Sequence, residues 1–457
     1  MERKTAWEKY SKKELKAVFE FAEGYKKFIS ECKTERECVK YMVEMAKSEG
    51  FMDLEEVVDK STKLKAGDKV FLNYMGKALV AFVVGKEPLT EGMNILGAHI
   101  DSPRLDLKQN PLFEDTNLAM FDTHYYGGIK KYQWVTLPMA LHGVVAKTDG
   151  SVVEINIGEK ADDPVFGVSD VLIHLAADQM EKKAAKVIAG EKLDLCVGSM
   201  PLAGEEKEAV KKNVLKILKD SYGIEEADFI SAEIEVVPAG PARDYGFDKA
   251  MVMGYGQDDR VCAYPSFEAL KSVKKPNKTA VCILTDKEEI GSVGATGMQS
   301  KFFENAVAEL LNACEEYSDL KLRRAMANSR VLSSDVSAGF DPNYPEVSEK
   351  NNSAYMGCGV VFNKYTGARG KSGSNDASAE YIGELRRILD KEKVSYQTSE
   401  LGKVDQGGGG TIAYILANYG MQVIDSGVAV HNMHAPWEIT SKADIYEAYR
   451  AYSAFIK

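Results

Sequence analysis

The sequence predicts an α/β fold in which helices cover both faces of one sheet, together with a β-rich insert. From Ala250 onward, short apolar strands alternate with segments of helical periodicity, the pattern typical of such a sheet. The residues before 106 add helices, a hairpin and a buried strand, whereas the middle of the chain contains strands followed by polar stretches. We therefore expect a discontinuous α/β domain, residues 1–105 and 246–457, and an insert, residues 106–245.

The N-terminal part contains two helices and a hairpin. Ser11–Glu14 and Thr34–Glu37 each have the form of a capping box, and helically spaced apolar residues follow both of them. Two β-rich runs, Lys69–Tyr74 and Ala78–Val84, flank a short turn and predict a hairpin. The apolar run Asn94–His99 predicts a buried strand that ends at a polar edge.

The later elements alternate in type. In the insert, Trp134–Val145 and Ser151–Ile157 predict strands, and Glu205–Leu218 has a helical pattern. The remaining predicted strands are Met251–Tyr255, Ala280–Thr285, Val331–Ser334, Gly357–Phe362 and a strand that starts at Met421 and runs to Val430. The predicted helices between them are Phe302–Cys314, Ala377–Leu389 and Thr411–Asn418.

Composition excludes several classes of protein. The chain has 457 residues, 45% of them apolar, which is enough for two domains with large cores. The net charge is −11 and there is no long basic run, so we expect no nucleic-acid partner. No stretch approaches the roughly 20 apolar residues of a membrane span, and residues 1–7 lack the apolar core of a signal peptide. We therefore expect a cytoplasmic protein without a membrane partner.

Acidic and imidazole side chains follow the ends of five predicted strands. Ligands of open α/β sheets bind at that edge. Each segment alone also fits a plainer structure, such as a solvated acidic turn or a buried histidine with satisfied hydrogen bonds. Five such segments in one chain favour a common site. They are Gly97–Pro103, Gly256–Arg260, Leu284–Ser292, Ser333–Ser337 and His431–Pro436.

The residue types in these segments fit metal-dependent hydrolysis. In His99-Ile-Asp101 the imidazole can bind a metal while the carboxylate holds its other nitrogen. The adjacent Glu288 and Glu289 can act as one ligand and one general base. A ligand set of oxygen and nitrogen atoms without cysteine suits zinc, and also cobalt or manganese. A shared carboxylate would hold two such ions about 3.5–4 Å apart.

These segments, in this order and spacing, resemble the M18 family of metallopeptidases, the aspartyl-aminopeptidase-like enzymes, over nearly the whole chain. The motifs that carry the resemblance are His99–Pro103, Asp258–Arg260, Asp286–Ser292, Ser334–Asp335 with Asp341–Tyr344, and Met433–His434. The resemblance implies a zinc-peptidase-like α/β/α sandwich with an inserted β-rich domain. It also implies an aminopeptidase that removes single residues from the free N-termini of short peptides.

The resemblance also implies a set of metal ligands. One divalent ion, zinc or alternatively cobalt or manganese, would be bound by His99 and Asp335, and a second by Glu289 and His434. Asp258 would bridge the two ions.

Two further residues gain roles from the same resemblance. Glu288 would be the general base, and Asp101 would orient the imidazole of His99. The peptide bond between Asp258 and Asp259 would be cis.

Members of this family form tetrahedral dodecamers in which the insert makes contacts between subunits. The resemblance therefore implies a homo-oligomer. The family has a histidine in an Ile-His-Leu segment that reaches a neighbour's active site, and Ile173-His174-Leu175 matches that segment here. His174 would thus act in a partner's site.

The chain departs from the family at the substrate side. Ala338 and Asp341 stand where the family usually carries histidines, and Val361 replaces the lysine of its lysine-x-asparagine segment. A lysine is the natural partner of an acidic substrate side chain, so a preference for N-terminal Asp or Glu does not follow. A di-metal deacylase or carboxypeptidase with the same ligands, and a non-catalytic binding protein of this fold, are the alternatives.

Overall fold

The computed structural model describes residues 4–457. The prediction made for residues 1–7 therefore falls partly outside the described residues. The chain divides into two compact units. The first consists of Met1–Asp101, Ala242–Met433 and Glu438–Lys457, and the second of Ser102–Pro241 and His434–Trp437. That the first unit is a catalytic domain and the second an inserted assembly domain stays a prediction.

The helices are distributed along the whole described chain. They are α1 (Lys12–Glu31), α2 (Glu35–Ser48), α3 (Leu54–Asp59), α4 (Ala177–Met180), α5 (Ala184–Val187), α6 (Ala209–Tyr222), α7 (Gln257–Ser272), α8 (Phe302–Cys314), α9 (Asp319–Ala327), α10 (Ala368–Lys371), α11 (Ala379–Lys391), α12 (Ala413–Ala417) and α13 (Lys442–Phe455). Both predicted capping boxes are present, with Ser11 and Thr34 as the N-cap residues of α1 and α2.

The strands of the first half of the chain are β1 (Met52–Asp53), β2 (Lys69–Tyr74), β3 (Ala78–Val83), β4 (Met93–His99), β5 (Arg104–Asp115), β6 (Leu118–Tyr126), β7 (Met139–Ala146), β8 (Val152–Ile157), β9 (Gly167–Val168) and β10 (Leu195–Gly198). Those of the second half are β11 (Ala232–Pro238), β12 (Arg243–Tyr245), β13 (Met251–Gly254), β14 (Thr279–Thr285), β15 (Arg330–Ser333), β16 (Ser337–Ala338), β17 (Val360–Asn363), β18 (Tyr396–Thr398), β19 (Gln422–Gly427), β20 (Ala429–His431) and β21 (Glu438–Ser441).

The first unit is built on a nine-stranded sheet with the order β1-β2-β3-β14-β4-β15-β19-β17-β18. Its centre, β14-β4-β15-β19, is parallel, so the carboxyl ends of these four strands lie at one edge. Thr285 pairs with His99, Ser333 with Gly97, and Asp425 with Ser333. This register brings the chain after β4, β14 and β15 to the same place.

Helices cover both faces of this sheet, which confirms the predicted α/β fold. Along β14, Ala280, Cys282 and Leu284 pack into a core with α1, α2, α7, α11 and α13. The alternate residues Val281 and Ile283 pack into a second core with α3, α8, α9 and α12. A strand buried on both faces by helices is the expected structure for a continuous apolar run in a parallel sheet.

The first unit also contains a five-stranded sheet, β12-β13-β21-β20-β16. The second unit contains a seven-stranded sheet with the order β8-β7-β11-β5-β6-β10-β9 and antiparallel pairing throughout. Within residues 4–457, no helix is long and apolar enough to cross a membrane.

Three strand predictions were wrong in their extent, and of these the strand predicted from Gly357 begins only at Val360. The strand predicted from Trp134 begins only at Met139, because Pro138 cannot donate to the ladder and a 3₁₀ turn precedes Trp134. The single strand predicted up to Val430 is two strands, β19 and β20, which belong to different sheets. The chain crosses between the sheets after Gly427, where a Cβ atom would lie 1.9 Å from the carbonyl oxygen of Asp335.

Candidate metal centre

His99 lies at the carboxyl end of β4 and is almost fully buried. Its Nδ1 is 3.0 Å from the carbonyl oxygen of Asp101 and 3.4 Å from the carboxylate oxygen Oδ1 of the same residue. Its Nε2 is 3.1 Å from Oδ1 of Asp258. With Nδ1 donating to Asp101, the lone pair of Nε2 points toward the acidic cluster, which is the tautomer that a metal ligand requires.

Asp101 connects the histidine to the two glutamates. Its carboxylate accepts the backbone N–H of Glu288 at Oδ1 and that of Glu289 at Oδ2, both at 3.1 Å. The side chain is fully buried, so these hydrogen bonds to an ionised acceptor are stronger than at the surface. One residue therefore contacts both His99 and the backbone that carries Glu288 and Glu289; that Asp101 orients His99 stays a prediction.

Glu288 and Glu289 begin a 3₁₀ turn that follows β14. Lys287 before the turn and Gly291 after it have left-handed φ values of 72° and 93°, so the chain reverses sharply here. The buried Asp286 anchors the loop by accepting a hydrogen bond of 2.6 Å from Oγ1 of Thr296. The turn holds both glutamates half-buried at the edge of the sheet.

Asp258 lies in the first turn of α7 and is buried. Its φ and ψ of −79° and 110° are not helical, and the peptide bond between Asp258 and Asp259 is cis, as predicted. The backbone N–H of Asp258 donates to Oε2 of Glu438 at 3.2 Å. The carboxylate oxygen Oδ1 of Asp258 faces Nε2 of His99 at 3.1 Å.

Five predicted site residues lie together in the first unit. Ligand atoms of His99, Glu288 and Glu289 lie within 4.8 Å of one another, and so do those of His99, Asp258 and Asp335. Asp335 comes two residues after the end of β15. Because His99 belongs to both groups, the two groups form one cluster.

The electrostatics of this cluster fit a divalent cation. Burial raises the pKa of the Asp335 carboxyl well above its usual value, and the charges of Asp258 and Glu288 raise it further. Burial lowers the pKa of His99, but its hydrogen bonds to Asp101 and Asp258 raise it more, so that it lies well above the usual value. Several buried carboxylates repel one another unless a cation is present, and this donor set of oxygen and imidazole nitrogen suits zinc. The residues therefore fit a metal site.

Two predicted site residues belong to the second unit. His434 has a left-handed φ of 65°, and its Nδ1 is 2.7 Å from the carbonyl oxygen of Gly128. A carbonyl at that nitrogen is a common way to orient a metal-binding imidazole. His174 lies in an exposed 3₁₀ turn, Ile173–Leu175, and among the described residues no candidate metal group includes it. Their roles stay predictions.

Some residues around the cluster were not predicted. Glu438, which accepts the backbone N–H of Asp258, occupies a short strand without any acidic pattern, and Gln257 is part of the predicted segment Gly256–Arg260 only as the neighbour of Asp258. Asp286 stands in the predicted acidic segment, but its bond to Thr296 depends on a loop whose shape the sequence does not reveal. The one feature of the sequence that points to these residues is that each is a polar residue next to an apolar segment.

Comparison with known proteins gives a consistent result. Residues 28–456 match the family model described as aminopeptidase I zinc metalloprotease (M18). A probable M18 family aminopeptidase 1 of Clostridium acetobutylicum is 66% identical, covering 100% of this chain and 98% of its own. The crystal structure of an M18 aminopeptidase from Thermotoga maritima has a TM-score of 0.94 at 46% identity, covering 100% of this chain and 99% of its own. A Saccharomyces cerevisiae structure described as a dodecamer has a TM-score of 0.77 at 21% identity, covering 95% of each chain, and supports the fold alone.

Proposed function

Because this chain belongs to the M18 family of zinc metalloproteases and is therefore a metal-dependent aminopeptidase, we propose that it acts with two zinc ions bound in the cluster around His99. The main observation behind this proposal is that two groups of ligand atoms contain the imidazole of His99, and that within each group all the atoms lie within 4.8 Å of one another. Because an imidazole nitrogen binds one ion whereas a carboxylate can bind two, we infer two neighbouring ions that share the carboxylate of Asp258, with His99 bound to one of them. The predicted resemblance to the M18 family is confirmed, and the aminopeptidase is favoured over the deacylase, carboxypeptidase and non-catalytic alternatives.

The ligands divide between the two ions. His99 and Asp335 would hold one ion, and Glu289 and His434 the other, with Asp258 between them. The 3.1 Å distance between Nε2 of His99 and Oδ1 of Asp258 supports this assignment, because two atoms this close together can bind the same metal ion. The raised pKa of Asp335 supports it too, since a cation would offset the repulsion that raises it.

When bound, the ions supply a Lewis acid for the scissile carbonyl and lower the pKa of the attacking water. The carboxylate of Glu288 takes the proton from that water and then delivers it to the leaving amine. Glu288 is half-buried, and the carboxylate of Asp101 accepts its backbone N–H at 3.1 Å, which fixes the backbone that carries this base. The acidic cluster also attracts the free α-ammonium of a peptide, which limits cleavage to the first residue.

A substrate panel with a matched pair of variants tests this function. Zinc-, cobalt- and manganese-loaded proteins are assayed on free and N-acetylated aminoacyl substrates, with Glu288→Gln and the exposed Glu309→Gln as variants. We expect activity on free N-termini alone, a loss of several orders of magnitude for Glu288→Gln with nearly normal metal content, and no change for Glu309→Gln. Cleavage of the acetylated substrates would instead indicate a deacylase, and an active Glu288→Gln variant would remove the proposed base.

We also propose that the second unit mediates assembly of a homo-oligomer, with a dodecamer as the expected form. Support comes from large apolar side chains that are exposed in one stretch of this unit. They are Val165, Val171, Leu172, Ile173, Leu175 and Met180, of which Leu175 is 76% exposed. In an oligomer, His174 between Ile173 and Leu175 would lie at a subunit contact and could contribute to a neighbour's site.

Size-exclusion chromatography with light scattering tests the assembly. The unmodified protein should elute as a large oligomer, and the Leu175→Glu variant should elute as a smaller species at unchanged thermal stability. Mixing His174→Ala subunits with Glu288→Gln subunits tests the shared site, because only a contribution in trans restores activity in the mixed particle. A monomeric unmodified protein would contradict both proposals.

The cytoplasm is the proposed location. All seven cysteines are free, and four of them are buried, which fits a reducing compartment. Cell fractionation tests this, and recovery of the protein outside the cytoplasmic fraction would contradict it.

A further inference from the structure

A buried polar network of Tyr25, Gln257 and Glu438 surrounds the backbone at Asp258. We propose that these three side chains are positioning residues that fix where the Asp258 carboxylate lies between the two metal ions. This inference rests on the proposed role of Asp258 as the bridging ligand. The three residues come from α1, the start of α7 and β21, so the network ties the carboxylate to three separate elements.

The amide of Gln257 is held at both ends. Its Nε2 donates to the carbonyl oxygens of Val252 at 3.0 Å and of Glu438 at 3.4 Å. Its Oε1 accepts a short hydrogen bond from the hydroxyl of Tyr25. Gln257 and Tyr25 are both fully buried, so no water replaces a lost partner. Each bond therefore restrains the residue that directly precedes Asp258.

Glu438 acts on Asp258 itself. Its Oε2 accepts the backbone N–H of Asp258 at 3.2 Å. Glu438 stands in β21 opposite Gly254 of β13, so its carboxylate is carried by a paired strand of the five-stranded sheet. Only 1% of Glu438 is exposed. The backbone of Asp258 is thus held by a side chain that is itself rigidly placed.

The chemistry of this contact distinguishes positioning from ordinary helix capping. An N–H in the first turn of a helix needs an acceptor from outside the helix, and a local Ser, Thr or Asn side chain usually provides it. Here the acceptor is the side chain of Glu438, which stands 180 residues further along the chain in β21. The backbone of Asp258 is thus bound to a separate element of the fold rather than capped from its own helix.

Tyr25→Phe is the primary test, because it removes one hydroxyl and keeps the ring. Tyr381→Phe is the matched control, since the buried hydroxyl of Tyr381 also donates one hydrogen bond, to the carbonyl oxygen of Val331 in β15 at 3.0 Å, rather than to Gln257. Zinc affinity is measured by chelator competition, and the site geometry by the visible absorption spectrum of the cobalt-loaded protein. Loss of one buried hydrogen bond corresponds to about a fivefold effect.

We expect Tyr25→Phe to weaken zinc binding about fivefold and to shift the cobalt spectrum, with kcat falling more than KM changes. Tyr381→Phe should lose similar thermal stability with normal zinc affinity and an unchanged spectrum. If the two variants are alike in zinc affinity and spectrum, the network is only structural and the inference is wrong.

Glu438 and Asp258 variants complete the design. Glu438→Gln keeps an oxygen acceptor and should retain most zinc affinity, whereas Glu438→Ala should lose about 10- to 100-fold. Equal losses for Gln and Ala would overturn the positioning role. Asp258→Asn tests the underlying assignment separately. If it binds two zinc ions normally, the proposed bridge is wrong, whereas its failure combined with a normal Tyr25→Phe variant overturns only the network.

Discussion

The carboxylate of Asp101 offers a decisive perturbation, because it binds two parts of the site at once. It accepts the backbone N–H groups of Glu288 and Glu289 and lies 3.4 Å from Nδ1 of His99. In Asp101→Asn, one carboxylate oxygen becomes an NH₂ group of nearly the same size. That group faces a backbone N–H and cannot accept from it, so one of the two bonds is lost and two donors oppose each other.

The magnitude follows from these contacts. A buried hydrogen bond to a charged acceptor contributes about 1.5–3 kcal/mol, so a loss near 2 kcal/mol corresponds to about 30-fold in an equilibrium constant. The displaced turn carries Glu289, and the imidazole of His99 loses its orienting charge. We therefore expect zinc affinity to fall by about 10- to 100-fold and kcat/KM to fall at least as much.

Chelator competition measures the zinc affinity, and urea denaturation of the metal-free protein measures the free energy of unfolding. Asp444→Asn is the matched control, because the buried Asp444 also accepts two backbone N–H groups, those of Gly357 and Gly359, at 2.7 Å each. Both variants should lose stability, but only Asp101→Asn should lose zinc affinity. Normal zinc binding in Asp101→Asn, or equal loss in the control, would refute this reasoning.

Three further outcomes are expected. Burial raises the pKa of Asp425 to about 7, so its contribution to the free energy of unfolding is complete below about pH 4 and is lost as the pH rises from about 4 to 7. Asp425→Asn should therefore remove up to about 3 kcal/mol of the pH-dependent loss measured by urea denaturation between pH 5 and 9, and an unchanged pH dependence would contradict the shift. Removal of metal by a chelator should abolish activity and lower the melting temperature in calorimetry, because the carboxylates around Asp335 then repel one another; an equally stable, active apo-protein would contradict the metal site. Leucyl substrates should be cleaved with a higher kcat/KM than aspartyl substrates, since the buried Val361 stands where the resemblance to the family implies a lysine and Lys371 already pairs with Asp376. A preference for aspartyl substrates would contradict this expectation.

Helices with unbroken periodicity were the easiest elements to predict. Helix α8 has the predicted bounds, Phe302–Cys314, because its apolar residues recur at helical spacing without interruption. The strand predicted up to Val430 failed because an apolar run does not reveal where the chain passes from one sheet to another. That passage depends on Gly427, whose lack of a side chain allows the backbone of Asp335 to approach.

Part of the candidate site could be predicted from the sequence and part could not. Residues at strand ends, such as His99 and Asp335, could be selected from the sequence because the parallel register brings strand ends to one edge. The hydrogen bonds that hold these residues in place could not be predicted from the sequence. The bonds from Asp101 to the backbone of Glu288 and Glu289 depend on the shape of a turn, and the partnership of Glu438 with Asp258 depends on how two distant segments pack.

The most direct test of the central claim is an anomalous difference map from a zinc-loaded crystal, measured on both sides of the zinc absorption edge. The account predicts two peaks about 3.5–4 Å apart, one bonded to His99 and Asp335 and the other to Glu289, with the carboxylate of Asp258 between them. A single peak, or peaks bonded to other residues, would contradict the two-ion cluster on which the proposed function depends.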